Sequence, residues 1–183
     1  MKFSESPIKG VFVVTALPFE DDRGWFARVF CKKEFHDVGV DVEFVQFNQS
    51  FNRLKGTFRG MHYQAPPFAE KRLVRCITGS MIDFVVDLRK DSTTFLQSFS
   101  VELSAENRSM ILIPEGIAHG FITLEDKTSI LYHHTPGYHP EAERGIRFDD
   151  PRIRLKMPHP IAVSADRDRT YPLLAPDFVG IEL

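Results

Sequence analysis

The sequence predicts an all-β fold, a double-sheet jelly roll with a few short peripheral helices, and three observations carry that reading. Short runs rich in β-branched and aromatic residues recur at 11–16, 44–47, 73–77, 82–88, 99–103, 110–113, 121–124 and 129–133. The chain holds 17 Phe, enough for two sheets to bury a large apolar area between them. Only one segment has a helix signal with both a face and a stop, so helices cannot form a layer of their own.

Taken in order, the run at 11–16 is β-branched at Val11, Val13, Val14 and Thr15, which suits a pleated surface. The helix is expected over 32–38, where Phe35 and Val38 share a face and Gly39 can adopt the left-handed cap conformation. After the run at 44–47 comes Arg59-Gly60-Met61-His62-Tyr63-Gln64. Period-2 alternation there puts Arg59, Met61 and Tyr63 on one strand face and Gly60, His62 and Gln64 on the other. The runs at 73–77, 82–88, 99–103 and 110–113 follow at short intervals, as strands of a sandwich or barrel do. In Ile113-Pro114-Glu115-Gly116-Ile117-Ala118-His119-Gly120-Phe121, Pro114 and Gly116 set a turn from which the chain re-enters a strand carrying His119. From Pro136 onward, Pro151, Pro158, Pro160, Pro172 and Pro176 punctuate a segment of little periodicity, expected to pack over the barrel within one domain spanning 1–183.

Composition excludes several partners. Lys plus Arg number 23 against 25 Asp plus Glu, a net charge of −2, so no global basic field draws nucleic acid or a membrane surface. An anionic ligand must be held by local arginines. No run approaches the roughly 18 consecutive apolar residues of a membrane-spanning helix, and the first residues lack an apolar targeting core, so a cytoplasmic protein is expected. Cys31 and Cys76 lack metal-type spacing and are too few for a disulfide framework, which fits packing roles in a reducing compartment.

Two histidines in glycine-set strand contexts, His62 and His119, point to one site. A jelly roll with inward histidines is similar to the metal site of the cupins, but the second member of the His-x-His pair is here Gln64, a poor ligand. Glu70 and the pair His133-His134 are the remaining ligand candidates, and a metal site is the second choice. Acid–base chemistry is the first: a base such as His62, a carboxylate such as Asp168 to orient it, and an acid across the substrate, for which Tyr132 and Tyr138 are candidates.

Asp22-Arg23-Gly24-Trp25-Phe26, Gln46-Phe47-Asn48-Gln49-Ser50, the hexapeptide around His62, Leu73-Val74-Arg75-Cys76, Val86-Asp87-Leu88-Arg89, Leu103-Ser104, the segment around His119 and Asp149-Asp150-Pro151 run in one order across nearly the whole chain. In that order and spacing the sequence resembles the dTDP-4-dehydrorhamnose 3,5-epimerases. The resemblance implies a cupin-type fold and a cofactor-free epimerase, with no bound metal, that acts on a dTDP-linked 4-keto-6-deoxy sugar through an enolate. It also implies a homodimer. Position by position, it implies His62 as proton acceptor, Asp168 as its orienting partner, Tyr132 as proton donor and Tyr138 as a stacking partner for thymine. Arg23, Arg59 and Arg167 become diphosphate contacts; Gln46 and Asn48 hydrogen-bond the nucleotide or sugar, and Phe26, His119 and Glu143 complete the pocket. Two positions depart from the family pattern: Arg72 replaces a Lys expected beside the enolate oxygen, and Arg28 replaces a Glu, a reversal of charge. They bear on which sugar is bound and on whether one or both carbons are epimerised. A non-catalytic nucleotide-sugar binding module is the reading from a third class.

Overall fold

The computed structural model describes residues 1–183. In chain order its elements are β1 (Lys2–Glu5), β2 (Phe12–Thr15), β3 (Pro18–Asp21), β4 (Gly24–Ala27), α1 (Lys32–Asp37), β5 (Gln46–Asn52), β6 (Phe58–Gln64), β7 (Lys71–Thr78), β8 (Ser80–Asp87), β9 (Ser98–Ser104), β10 (Ser109–Ile113), β11 (Ile117–Thr123), β12 (Thr128–Thr135), β13 (Glu143–Gly145) and α2 (Asp166–Thr170). Six strands form one sheet in the order β1-β2-β10-β7-β12-β5, and five form the other in the order β13-β6-β11-β8-β9. Strands β3 and β4 form a separate hairpin. All ladders between these strands are antiparallel, as a double-sheet jelly roll requires. No helix is long and apolar enough to cross a membrane.

The period-2 alternation of each strand sorts the apolar residues into three layers. Between the sheets, Val74, Cys76, Ile111, Ile113 and Ile130 of the six-stranded sheet meet Met81, Val85, Leu103, Ile117 and Phe121 of the five-stranded one. The intervening residues face outward. Val14, Leu73, Met110 and Leu112 are covered by Phe35 of α1 together with Val42. Phe58, Met61, Phe84, Val86, Ala118 and Ile122 are covered by the C-terminal segment through Ile146 and Ile153, with Leu174, Phe178 and Ile181 packed against them. Each sheet therefore has both faces buried over its centre, by the other sheet on one side and by a non-strand segment on the other.

Several expectations need correction. The strand expected at 44–47 begins at Gln46 and runs to Asn52; Phe44 instead packs beneath the six-stranded sheet. The simple alternation expected for β6 fails at Gly60. His62 pairs with His119 and Arg59 with Phe121, so two residues of β6 oppose the single Gly120 of β11. This bulge rotates the strand by one residue. It puts Arg59 on the same side as His62 and Gln64, while Phe58, Met61 and Tyr63 face the C-terminal layer. Gly60 (φ +148°) permits the bulge, and a Cβ there would come 2.6 Å from the Gly120 Cα. Helix α1 follows its expected range within a residue, and Gly39 sits at φ +80° just beyond it.

Candidate active site

Toward one end of the sandwich the inward positions stop being apolar. On β7 the series Cys76, Val74 ends in Arg72; on β12 Ile130 gives way to Tyr132 and His134; on β11 Phe121 gives way to His119. Together with Asn48 and Ser50 of β5, Arg59, His62 and Gln64 of β6, and Arg167 and Asp168 of α2, these side chains line a cavity of about 330 Å³. The two sheets contribute different chemistry: His62 and His119 come from the five-stranded sheet, Tyr132, His134 and Arg72 from the six-stranded one.

His62 and Asp168 lie 106 positions apart in sequence and 2.8 Å apart from ring Nε2 to carboxylate Oδ1. The Asp168 side chain is 2 % exposed. Its second oxygen accepts the Gly60 backbone N–H at 3.3 Å, and Arg167 Nε approaches Oδ1 at 3.6 Å. That carboxylate fixes the imidazole and leaves Nδ1 without a protein partner. The Tyr171 ring stands edge-on to His62, centroids 5.8 Å apart. It has room there because position 145 is glycine, where a Cβ would drive into the Tyr171 ring.

His119 forms a second pair with a carboxylate, Nε2 to Asp83 Oδ2, at 2.8 Å. Asp83 is fully buried and its other oxygen has no partner. Burial drives its carboxyl upward, against the opposing pull of His119. Tyr132 is half-buried, its hydroxyl 3.0 Å from Ser50 Oγ. Burial pushes its phenol well above the ordinary range, more than the Ser50 contact lowers it, so it stays protonated at any working pH. Arg59 donates to Asn52 Oδ1 at 2.9 Å. Tyr138, exposed at the rim, donates its hydroxyl to Glu143 at 2.6 Å, and Arg167 pairs with Glu143 at 3.1 Å.

Arg72 is not a free cation. Its Nε and Nη2 both donate to Glu70 Oε1 and its Nη1 donates to the His62 carbonyl at 3.2 Å. The other Glu70 oxygen meets His134 Nδ1 at 2.7 Å. Burial works to raise the Glu70 carboxyl, but the Arg72 charge and the hydrogen bonds from His134 and Arg72 outweigh it and hold it below the usual range.

Of the residues singled out from sequence, His62, Asp168, Tyr132, Asn48, Arg59, Arg72, His119, Tyr138, Glu143 and Arg167 line the one cavity. Gln46 stands just behind, accepting the Tyr138 backbone N–H at 2.9 Å. Arg23, Phe26 and Arg28 do not join them within this chain. Arg23 is paired with Asp21 on the hairpin at 2.6 Å, Phe26 is 79 % exposed, and Arg28 is paired with Glu34 at 2.7 Å. Sequence reasoning missed Ser50, Asp83 and Tyr171, and weighed Glu70 and His134 only as metal ligands. A lone carboxylate inside the apolar run Met81-Ile82-Asp83-Phe84-Val85-Val86 was a usable signal for Asp83; Tyr171 left none. No group of three or more His, Cys, Asp or Glu side chains stands where it could hold a metal ion.

Known proteins match this chain in sequence and in fold. Residues 5–176 match the family described as dTDP-4-dehydrorhamnose 3,5-epimerase. A dTDP-4-dehydrorhamnose 3,5-epimerase of Sinorhizobium fredii is 40 % identical over 175 residues, covering 95 % of this chain and 90 % of the relative. The crystal structure of the Bacillus anthracis dTDP-4-dehydrorhamnose 3,5-epimerase with TDP and PPi bound superposes with a TM-score of 0.91 at 36 % identity, covering 94 % of this chain and 99 % of that one. A 3'-monoepimerase of Streptomyces bikiniensis in complex with dTDP-quinovose superposes with a TM-score of 0.84 at 27 % identity, covering 92 % and 85 % of the two chains. With the family match, the relatives and the solved folds in agreement over nearly its whole length, the chain belongs to the dTDP-4-dehydrorhamnose 3,5-epimerase family.

Proposed function

We propose that this protein epimerises dTDP-4-dehydro-6-deoxyglucose at C3 and C5, giving dTDP-4-dehydro-L-rhamnose. One observation carries the reading: a carboxylate-oriented histidine on one sheet and a protonated phenol on the other line the same cavity. Inverting a carbon requires removing its proton from one face and returning a proton to the other, and a cavity between two sheets supplies both faces. C3 and C5 flank the C4 ketone, so each loses a proton to give an enolate. His62 Nδ1 takes the proton, Asp168 stabilises the resulting imidazolium, and Tyr132 delivers a proton to the opposite face. Arg72 supplies fixed positive charge for the enolate oxygen. The carbon ends at the oxidation level at which it started, so the chemistry calls for no redox cofactor.

Arg59 and Arg167 suit the diphosphate, which guanidinium groups bind in a bidentate manner. Tyr138 at the rim stacks on thymine, and Asn48, Gln46, His119 and Glu143 complete the polar contacts. Arg23, Phe26 and Arg28 reach a substrate only if a second copy brings its β3–β4 hairpin to the cavity. The hairpin's exposed Phe19, Trp25 and Phe26 suit such an interface, and we read the protein as a homodimer on that ground. The unpaired Cys31 and Cys76 fit a cytoplasmic setting.

A second reading, epimerisation at C3 alone, is favoured by the likeness to the Streptomyces bikiniensis 3'-monoepimerase. Incubation with dTDP-4-dehydro-6-deoxyglucose in heavy water, followed by NMR of the sugar, decides between them. Deuterium at both C3 and C5 is expected; deuterium at C3 only gives the second reading, and none at either carbon sinks both.

A further inference from the structure

The cavity wall formed by the six-stranded sheet holds a chain of hydrogen bonds whose direction is fixed from one end. A backbone N–H can only donate, and that of Tyr138 donates to Gln46 Oε1 at 2.9 Å. This sets the orientation of the Gln46 amide, so its Nε2 donates to Asn48 Oδ1 at 3.1 Å. Asn48 is then left with its amide nitrogen toward His134 Nε2, 3.3 Å away, where the ring must accept. A neutral imidazole that accepts at Nε2 carries its proton on Nδ1, and that atom sits 2.7 Å from Glu70 Oε2, an obligate acceptor when ionised. The remaining Glu70 oxygen receives Arg72. From Tyr138 to Glu70 every bond runs in one direction, and Arg72 donates to the same carboxylate from the other side. His134 protonated on both nitrogens would oppose the Asn48 amide with a second donor, and relieving that clash would turn Asn48 and then Gln46 off the Tyr138 backbone.

We propose that His134 and Glu70 are positioning residues for Arg72: His134, locked as the Nδ1–H tautomer by the chain from Tyr138, holds the Glu70 carboxylate, and Glu70 holds the guanidinium against the His62 carbonyl. Three features favour this over a merely structural cluster. The Glu70, Arg72 and His134 side chains are 6 %, 12 % and 14 % exposed and all line the cavity. His134 and Arg72 are register partners across β12 and β7, so Glu70 bridges neighbours whose backbones already fix their spacing. The other groups about the ring, Tyr132 stacked at 6.2 Å and the Asn48 amide, offer Glu70 no competing charge. The consequence for catalysis rests on the functional reading above; the tautomer and the pose of Arg72 do not.

The test uses the full-length protein. Long-range proton–nitrogen NMR of the ligand-free enzyme at neutral pH should show His134 protonated at Nδ1 and bare at Nε2; the opposite tautomer or an imidazolium would overturn the lock. Hydrogen exchange at Arg72 Nε–H should quicken at least tenfold in His134→Leu and return near wild type in His134→Asn, whose amide keeps a donor close to the lost Nδ1–H. Unchanged exchange in His134→Leu overturns the positioning role. In turnover, His134→Leu should lower kcat by about 10²-fold, the usual cost of misplacing a reacting group by about an ångström, while dTDP affinity stays within about twofold. A kcat equal to wild type would likewise overturn it. Wild-type enzyme that exchanges no sugar proton with solvent would count against the functional reading instead, and the two NMR measurements would still decide the fate of the lock.

Discussion

In the proposed reaction His62 removes a proton only if its free nitrogen is turned toward the carbon acid, and the carboxylate 2.8 Å behind it is placed to do the turning. His62→Asn should therefore lower turnover by about 10²–10⁴-fold, the range for a positioned acid or base, with dTDP binding near wild type by calorimetry. Asp168→Asn should also lower kcat while leaving affinity nearly unchanged, because the ring keeps its place and loses the charge that stabilises the imidazolium. Tyr132→Phe should behave differently. With the base intact, solvent exchange at C3 should outlast net inversion, and an equal fall in both rates would remove Tyr132 from the role of opposite-face acid. For Arg72, Arg72→Met should raise the barrier by about 3–4 kcal/mol if the guanidinium meets the enolate, as loss of one oxyanion donor does, and Arg72→Lys should retain much of the rate. At this scale the sequence was legible where glycine or an isolated polar side chain stood in an apolar strand, as at His62 and His119. It was silent about pairings such as His134 with Glu70, because 64 positions separate them and only the register of β12 on β7 brings them together.

Among the elements, the β3–β4 hairpin is the one whose sequence does not explain its place in the monomer. It hydrogen-bonds only within itself as a two-stranded sheet, and Arg108 holds it by lying over the Trp25 ring at 4.8 Å. Two-stranded hairpins are marginal alone, so an isolated one with aromatic faces in water calls for a partner. If that partner is a second copy, replacing Phe19 and Phe26 by Ser should leave the protein monomeric in sedimentation velocity and reduce activity without lowering the melting temperature of the sandwich. A dimer that survives would move the interface elsewhere. The hairpin was hard to read in advance because Pro18-Phe19-Glu20-Asp21 and Gly24-Trp25-Phe26-Ala27 lack a buried face to impose period 2. Helix α1 was readable because Phe35 is buried against the sheet and Gly39 stops the helix. The phase of β6 was not, since a bulge has no signature beyond the glycine that permits it.

For the molecule as a whole, the sandwich was legible from the recurrence of β-branched and aromatic runs, whereas the cover each sheet receives from non-strand segments was legible only as apolar residues lacking a period. Stability should depend on pH through carboxylates buried by that packing. Asp87 accepts from the Arg89 backbone and side chain, Ser92 and Thr94. Burial acts to raise its carboxyl, but those donors outweigh it and hold it below the ordinary value. Glu70 is depressed in the same direction. A depressed folded-state value contributes stability that is complete above the unfolded carboxylate range near 4 and is lost as pH falls through the folded value. The contribution of these two carboxylates to the urea unfolding free energy should thus be lost on acidification below about pH 4. Asp87→Asn should be less stable at pH 7 by about 1–3 kcal/mol and show a flatter acid limb.

Gly60 and Gly120 meet across β6 and β11 with no space for a carbon on either: a Cβ on Gly120 would stand 2.7 Å from the Met61 sulfur and 2.8 Å from the Arg59 carbonyl oxygen. Because the neighbouring register pairs His62 with His119, a methyl at either position would wedge the two strands apart beside both histidines. Enlarging one glycine cannot be compensated by shrinking the other, since neither has anything left to give up. Mutational drift is closed at this crossing, and a library randomised at both positions should return glycine alone among active clones. A lineage descending from this protein that changed its sugar would have to do so through other residues of the cavity wall, leaving this crossing as it stands.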